Sequence, residues 1–175
     1  NQIEHPIVRE ALLHTGIKGG VEIASMADIP SQGSGLGSSS SFTVGLLNAL
    51  YAYKNQYRSK ENLANEACQI EILKCGEPIG KQDQYAAAYG GVNLIKFHSN
   101  ETVSVEPVIC SSNLIQNIED HTLVFYTGRT RSASELLAQQ SKDLLSADRK
   151  SLMKRMVELA FELKDEMQSN SITNF

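Results

Sequence analysis

Apolar residues recur along this chain at two different periods. Ile7, Val8, Ala11 and Leu12 fall on one face of a short helix from His5 to His14, which Gly19 and Gly20 interrupt. Val21 and Ile23 alternate with Glu22 and Ala24, the two-residue period of a strand reaching about Ser25. Asp28 to Gly37 carries Gly, Ser and Pro and reads as a loop. From Ser38 to Lys54, Phe42, Val44, Leu46, Leu47, Ala49 and Leu50 crowd a buried helix. Ser59 stands where an N-cap would, with Asn62 in place of the usual capping-box Glu or Gln; the helix it starts runs to about Cys75 and is closed by Gly76.

The second half mixes strands with helices. Glu77 to Gln84 reads as a polar turn, and Tyr85 to Tyr89 is small and apolar ahead of Gly90-Gly91. Val92–Phe97 and Thr102–Val108 form a strand pair about a turn at Ser99-Asn100, and His121–Tyr126 is a further strand ended by Gly128. Ser132–Leu145 and Arg149–Met167 carry the 3.6-residue period of amphipathic helices. Helices interrupted by a run of strands predict an α+β fold in layers, without internal repeats.

Composition narrows the classes of function. At 175 residues, 41% hydrophobic and 21% charged, the chain is long enough to bury one sizeable core. A formal charge of -4 argues against a broad nucleic-acid-binding surface. No apolar run spans a bilayer, so no membrane partner is expected, and the first residues carry no signal-peptide pattern. Cys68, Cys75 and Cys110 are odd in number and lack C-x-x-C spacing, which suits a reducing compartment such as the cytoplasm. The four histidines are scattered, without the spacing of zinc ligands. The absence of an initiating Met, a start already in helix, and Ser171–Phe175 resembling the start of an element lead to the expectation that this is a piece of a longer protein.

The chemistry concentrates in Pro30-Ser-Gln-Gly-Ser-Gly-Leu-Gly-Ser-Ser-Ser-Ser41, between an expected strand and an expected helix. Gly33, Gly35 and Gly37 allow positive φ and close approach of a ligand, so that the N–H groups of Ser34, Leu36 and their neighbours can converge on an anion. The helix start at Ser38 adds donors and the positive end of its dipole, and Ser38, Ser39 and Ser40 add hydroxyls. A flexible Gly/Ser linker has the same composition, but a linker has no reason to lie between a strand and an apolar helix. No Gly-Lys-Ser/Thr closes the loop as in a Walker A motif, and its glycines do not follow the dinucleotide fingerprint.

These residues resemble the P-x-x-x-G-L-G-S-S motif of the GHMP kinases, with a small variation in the lead-in. Glu71-Ile-Leu-Lys-Cys-Gly76 and Gly80-Lys-Gln-Asp-Gln-Tyr85 resemble that family's E-x-x-x-H-G and G-x-x-D segments, with Cys75 where many relatives have His. Gly80–Gly91 and Tyr126–Leu137 resemble most the sugar branch acting on heptose 7-phosphate, with the fucokinases next. The resemblance implies a ribosomal protein S5 domain 2-like N-terminal domain over 1–130, lacking its first strand, and the helical start of a ferredoxin-like C-terminal domain over 131–175.

It also implies roles. Gly33 to Ser40 would bind ATP, Ser39 and Glu71 would hold Mg²⁺, and Asp83 would be the catalytic carboxylate, taking the acceptor proton or orienting the acceptor hydroxyl. Gln82, Gly90, Gly91 and Arg131 would lie at the sugar substrate. Read singly, Glu71 is a solvated helix glutamate, Asp83 a turn residue and a serine among Ser38–Ser41 a helix cap. The implied partners are ATP and a small sugar phosphate, and an unpaired sheet edge is compatible with a homodimer. The competing readings are an ATP-dependent sugar kinase, another GHMP kinase such as an L-fucokinase, and a non-catalytic nucleotide- or sugar-binding module.

Overall fold

Pro6 opens helix α1 (Pro6–Thr15), where its missing N–H would have had no partner and its fixed φ suits the first turn. The computed structural model describes residues 3–27, 35–125 and 147–170. α1 ends at Thr15, one residue past the expected His14, and Gly16 is what stops it: its φ of 72° closes the helix in the left-handed region, and its N–H reaches Leu13 O at 3.2 Å.

The alternation at Val21–Ser25 does not become a strand. A strand exists only as a paired ladder, and the sheet among the described residues has two strands, both later in the chain. α2 (Ser38–Tyr53) follows as expected. Ser59 caps α3 (Lys60–Cys68), its Oγ accepting from Asn62 N at 3.1 Å.

The helix expected to reach Cys75 changes character halfway. Gln69–Lys74 is a π-helical segment, in which Cys75 N reaches Ile70 O, five residues back, at 2.8 Å. The expected polar turn stops at Lys81, because Gln82, Asp83 and Gln84 open α4 (Gln82–Tyr89). Apolar periodicity misses this helix, since one of its buried positions is a glutamine.

The described residues fall into two compact units, one up to Gly90 and the other from Gly91. In the first, α2 packs against α1, α3, α4 and the π-helical segment. Its core joins Ala11 and Leu12 of α1 to Leu47 and Leu50 of α2, Ala67 of α3 and Ile70. Burying such side chains contributes roughly 1.5–3 kcal/mol each for the larger ones. At the edge of this core, Glu66 of α3 accepts from Tyr51 of α2 and pairs with His14 of α1 at 3.0 Å and with Arg58 at 3.3 Å, tying three helices together.

In the second unit, β1 (Asn93–Phe97) and β2 (Val103–Pro107) pair antiparallel as expected, with Ile95 opposite Val105. Glu106 joins Lys96 and Lys164, each at 2.8 Å. The stretch before His121 holds a helix that the sequence reading omits, α5 (Ser112–Asp120), capped by Ser111 through Leu114 N at 3.2 Å. Residues 121–125 form no strand: Leu123, Val124 and Phe125 are exposed and, among the described residues, no strand bonds to them; Tyr126 lies outside the described residues. α6 (Ala147–Gln168) matches the expected final helix, whereas the helix expected over 132–145 lies outside the described residues.

Candidate functional site

Two glycines at the start of α2 adopt the conformation that the loop chemistry requires. Gly35 has φ 71° and Gly37 φ 66°, both in the left-handed region. Gly37 is the N-cap of α2, so no serine side chain caps the helix. The first turn therefore presents its N–H groups beside the hydroxyls of Ser38, Ser39 and Ser40, with Leu36 exposed just ahead of them. Ser39 is exposed and Ser40 is buried. Gly33 and Ser34 lie outside the described residues.

Glu71 is not a solvated helix residue. It is 1% exposed, held in the π-helical segment facing α2 and α4. Ser40 Oγ donates to its Oε2 at 2.8 Å, Thr43 Oγ1 donates to its Oε1 at 3.0 Å, and Gln84 Nε2 donates to Oε2 as well. A carboxylate accepts about four hydrogen bonds, so three are supplied by the protein and one acceptor position on Oε1 remains. Of the serine hydroxyls, the one that meets Glu71 is that of Ser40, while the single Thr43 hydroxyl proton is shared between Glu71 Oε1 and the Ser39 carbonyl, which lies 2.9 Å from Thr43 Oγ1.

Asp83 is exposed in the first turn of α4 and faces Gly37. A Cβ built on Gly37 would lie 3.3 Å from both Cγ and Oδ2 of Asp83. Gly37 thus does two things: its φ starts α2, and its missing side chain leaves room for a carboxylate beside the N-terminus of that helix. Gln82 is exposed beside Asp83. Gly90, with φ 65°, ends α4 and donates the last bond of that helix from its N–H to Ala86 O at 3.0 Å. Gly91, with φ 72°, begins the second unit. Arg131 lies outside the described residues.

The structure thus brings Gly37, Ser40, Glu71 and Asp83 together around the first turn of α2. It adds two residues that sequence reasoning missed. Thr43 had a signal, as a polar residue within the apolar face of α2 one turn past Ser39; Gln84 had none in the hydrophobic pattern. Cys75 is half-buried, and burial raises its thiol pKa. Burial pushes the Cys68 thiol up to about 11, so both remain neutral thiols at neutral pH.

Comparison with known proteins gives consistent relatives. The profile of the GHMP kinases N terminal domain matches residues 5–91. The chain is 36% identical over 126 residues to D-glycero-alpha-D-manno-heptose 7-phosphate kinase of Campylobacter jejuni, covering 72% of this chain and 36% of that protein. It is 34% identical to the bifunctional fucokinase/GDP-fucose pyrophosphorylase of Arabidopsis thaliana, over 88% of this chain and 16% of that one. It is 33% identical to the galactokinase of Pyrococcus furiosus, over 75% and 36%. The fold matches the crystal structure of a D-glycero-D-manno-heptose 1-phosphate kinase from Bacteroides thetaiotaomicron with a TM-score of 0.70 at 24% identity, across 97% of this chain and 51% of that one. The chain therefore spans about a third or less of these curated relatives and about half of the solved structure.

Proposed function

Residues 5–91 of this chain belong to the GHMP kinases N terminal domain family, and on that premise we propose that the chain is the nucleotide-binding part of an ATP-dependent sugar kinase. The observation that carries the proposal is the approach of Asp83 to Gly37, which sets a carboxylate at the mouth of a loop suited to phosphate. In this reading the N–H groups and serine hydroxyls at the start of α2 hold the phosphates of ATP. Asp83 holds the acceptor hydroxyl in line with the transferred phosphoryl group and receives its proton as the new P–O bond forms, while the bond from the γ-phosphorus to the bridging oxygen breaks and ADP leaves with that electron pair. Positioning and charge neutralisation supply most of the rate in such transfers.

The same reading takes the hard oxygens of Ser39 and Glu71, donors of the kind Mg²⁺ prefers, as the protein's share of a magnesium site. Among the described residues no group of three or more His, Cys, Asp or Glu could cage a metal by itself. Mg²⁺ ordinarily takes one or two carboxylates and completes its shell with phosphates and water. Glu71, with an acceptor position left on Oε1, and the Ser39 hydroxyl would hold it. Bound there, it would neutralise charge on the phosphate oxygens. Ser40 and Thr43 keep the Glu71 carboxylate oriented.

The acceptor is the anomeric hydroxyl of D-glycero-D-manno-heptose 7-phosphate in this proposal, supported by the similarity to the Campylobacter jejuni enzyme and by the Gly80–Gly91 segment. The product would feed nucleotide-activated heptose for surface polysaccharide. L-Fucose is the second reading, favoured by similarity to the Arabidopsis thaliana protein over more of this chain. The proposal includes the division at residue 130 into an ATP-binding domain and the start of a C-terminal domain, and a cytoplasmic enzyme, in keeping with the free thiols of Cys68, Cys75 and Cys110.

ADP release measured with a panel of sugars and sugar phosphates tests it. Turnover is expected with heptose 7-phosphate in preference to L-fucose. ATP binding without turnover on any acceptor would instead support a non-catalytic binding module.

A further inference from the structure

We propose that Gln84 is a positioning residue that couples the Glu71 carboxylate to the first turn of α4 and thereby holds Asp83 against Gly37. The importance of that placement for catalysis rests on the reading of Asp83 given above; the coupling itself does not.

α4 is a short helix of eight residues with no side chain capping its start. So short a helix is not stable alone and takes its position from tertiary contacts. Its buried residues are Gln84 and Tyr85. Gln84 is 0% exposed, with Nε2 bonded to Glu71 Oε2, while its Oε1 has no hydrogen-bond partner. Packing alone does not account for this choice, because an apolar residue of similar size would fill the space without burying an unpaired oxygen. The bond to Glu71 accounts for it. It also sets the orientation of the amide, since exchanging its nitrogen and oxygen would press two oxygens together.

The contacts form a closed circuit. Glu71 is anchored to α2 by Ser40 and Thr43. Gln84 transmits that anchor to α4, the preceding residue is Asp83, and Asp83 lies against Gly37 at the start of α2. A displacement of the first turn of α4 would therefore move Asp83 with respect to the phosphate loop.

The test uses Gln84→Leu and the exchange variant Glu71→Gln/Gln84→Glu, in which a glutamine amide again donates to a glutamate across the same gap. Hydroxyls can donate or accept, so Ser40 and Thr43 can adapt to the exchange. Amide hydrogen exchange across α4 is read first, because it does not depend on activity. We expect exchange there to accelerate about ten-fold or more in Gln84→Leu and to return close to wild type in the exchange variant. Unchanged exchange in Gln84→Leu overturns the coupling whatever the kinetics do. Fast exchange persisting in the exchange variant also overturns it, since the restored bond would then not be what holds the helix. Gln84→Met, which keeps the unbranched shape, gives the same readout should the leucine variant fail to fold.

Kinetics give the second arm. With turnover in the wild type, Gln84→Leu is expected to lower kcat about ten-fold or more while KM for ATP stays within about three-fold. An unchanged kcat beside accelerated exchange would retain the coupling and remove its catalytic importance. A wild type without turnover would sink the kinase reading and leave the exchange result standing.

Discussion

Asp83 faces Gly37 across the gap between two helices, so closely that one added carbon at position 37 would come within 3.3 Å of the Asp83 carboxylate. Two separate features disfavour a side chain at Gly37. Its φ of 66° is strained for any residue with a Cβ, and the Cβ would also push Asp83 away. Gly37→Ala is expected to lose about 1–2 kcal/mol from the left-handed backbone alone. Its kcat should fall more steeply than that loss implies, because Asp83 is displaced. Urea unfolding beside steady-state kinetics checks this; an alanine variant with wild-type kcat would show that Asp83 need not sit where it does.

Asp83→Asn retains shape and hydrogen bonding but removes the charge and most of the basicity. Turnover is expected to fall by roughly 100-fold or more, the range of a lost general base, with the dissociation constant for ATP changed by less than about three-fold. Isothermal titration and ADP release measure the two quantities on one preparation. Undiminished turnover would take Asp83 out of its role.

The buried Glu71 network should resist dismantling one donor at a time. Thr43→Val removes the hydroxyl that reaches Glu71 Oε1 and is expected to cost about 1–3 kcal/mol, the range for leaving a buried polar group short of a partner. Ser40→Ala should cost a similar amount through Oε2. The double variant should depart from the sum of the two, since both act on one carboxylate. Strict additivity in urea unfolding would mean that the carboxylate does not couple them.

Glu106 carries an acid-range prediction. Hydrogen bonds from Lys164 and then Lys96, reinforced by their charges, hold its carboxyl down at about 2. A folded-state pKa below the unfolded one stabilises the fold above the ordinary carboxylate range. That contribution is lost as pH falls from about 4.5 through about 2. Carbon-13 NMR of the side-chain carboxyl should show a midpoint well below those of other exposed glutamates. Glu106→Gln should narrow the stability difference between neutral and acid solution, and a midpoint near 4.5 would refute the lysine clamp.

Ser59→Ala removes the side-chain oxygen that accepts from Asn62 N. The expected loss is about 1 kcal/mol, with most of it recovered by Ser59→Asp. Thermal unfolding of the three proteins decides it.

Much of the local structure was legible in the residues because its causes are local. Gly35 and Gly37 take the positive φ that the loop pattern anticipated, Ser59 caps the helix after it, and β1 pairs with β2 about the expected turn. The errors have two causes. Val21–Ser25 and 121–125 have strand-like patterns, but a strand needs a partner whose presence alternation cannot report. α4 escaped because Gln84 occupies a position that a hydrophobic scan expects an apolar residue to fill.

The sequence by itself singled out the glycine- and serine-rich segment before α2 and the carboxylates at 71 and 83 as candidates, because glycine spacing and residue type are written along the chain. Only the tertiary structure decided that Glu71 is buried rather than solvated, that Ser40, Thr43 and Gln84 supply its hydrogen bonds, and that Asp83 meets Gly37. Burial and hydrogen-bond partners depend on how separate helices pack, and the residues involved come from three segments that meet only when α2, the π-helical segment and α4 close around one carboxylate.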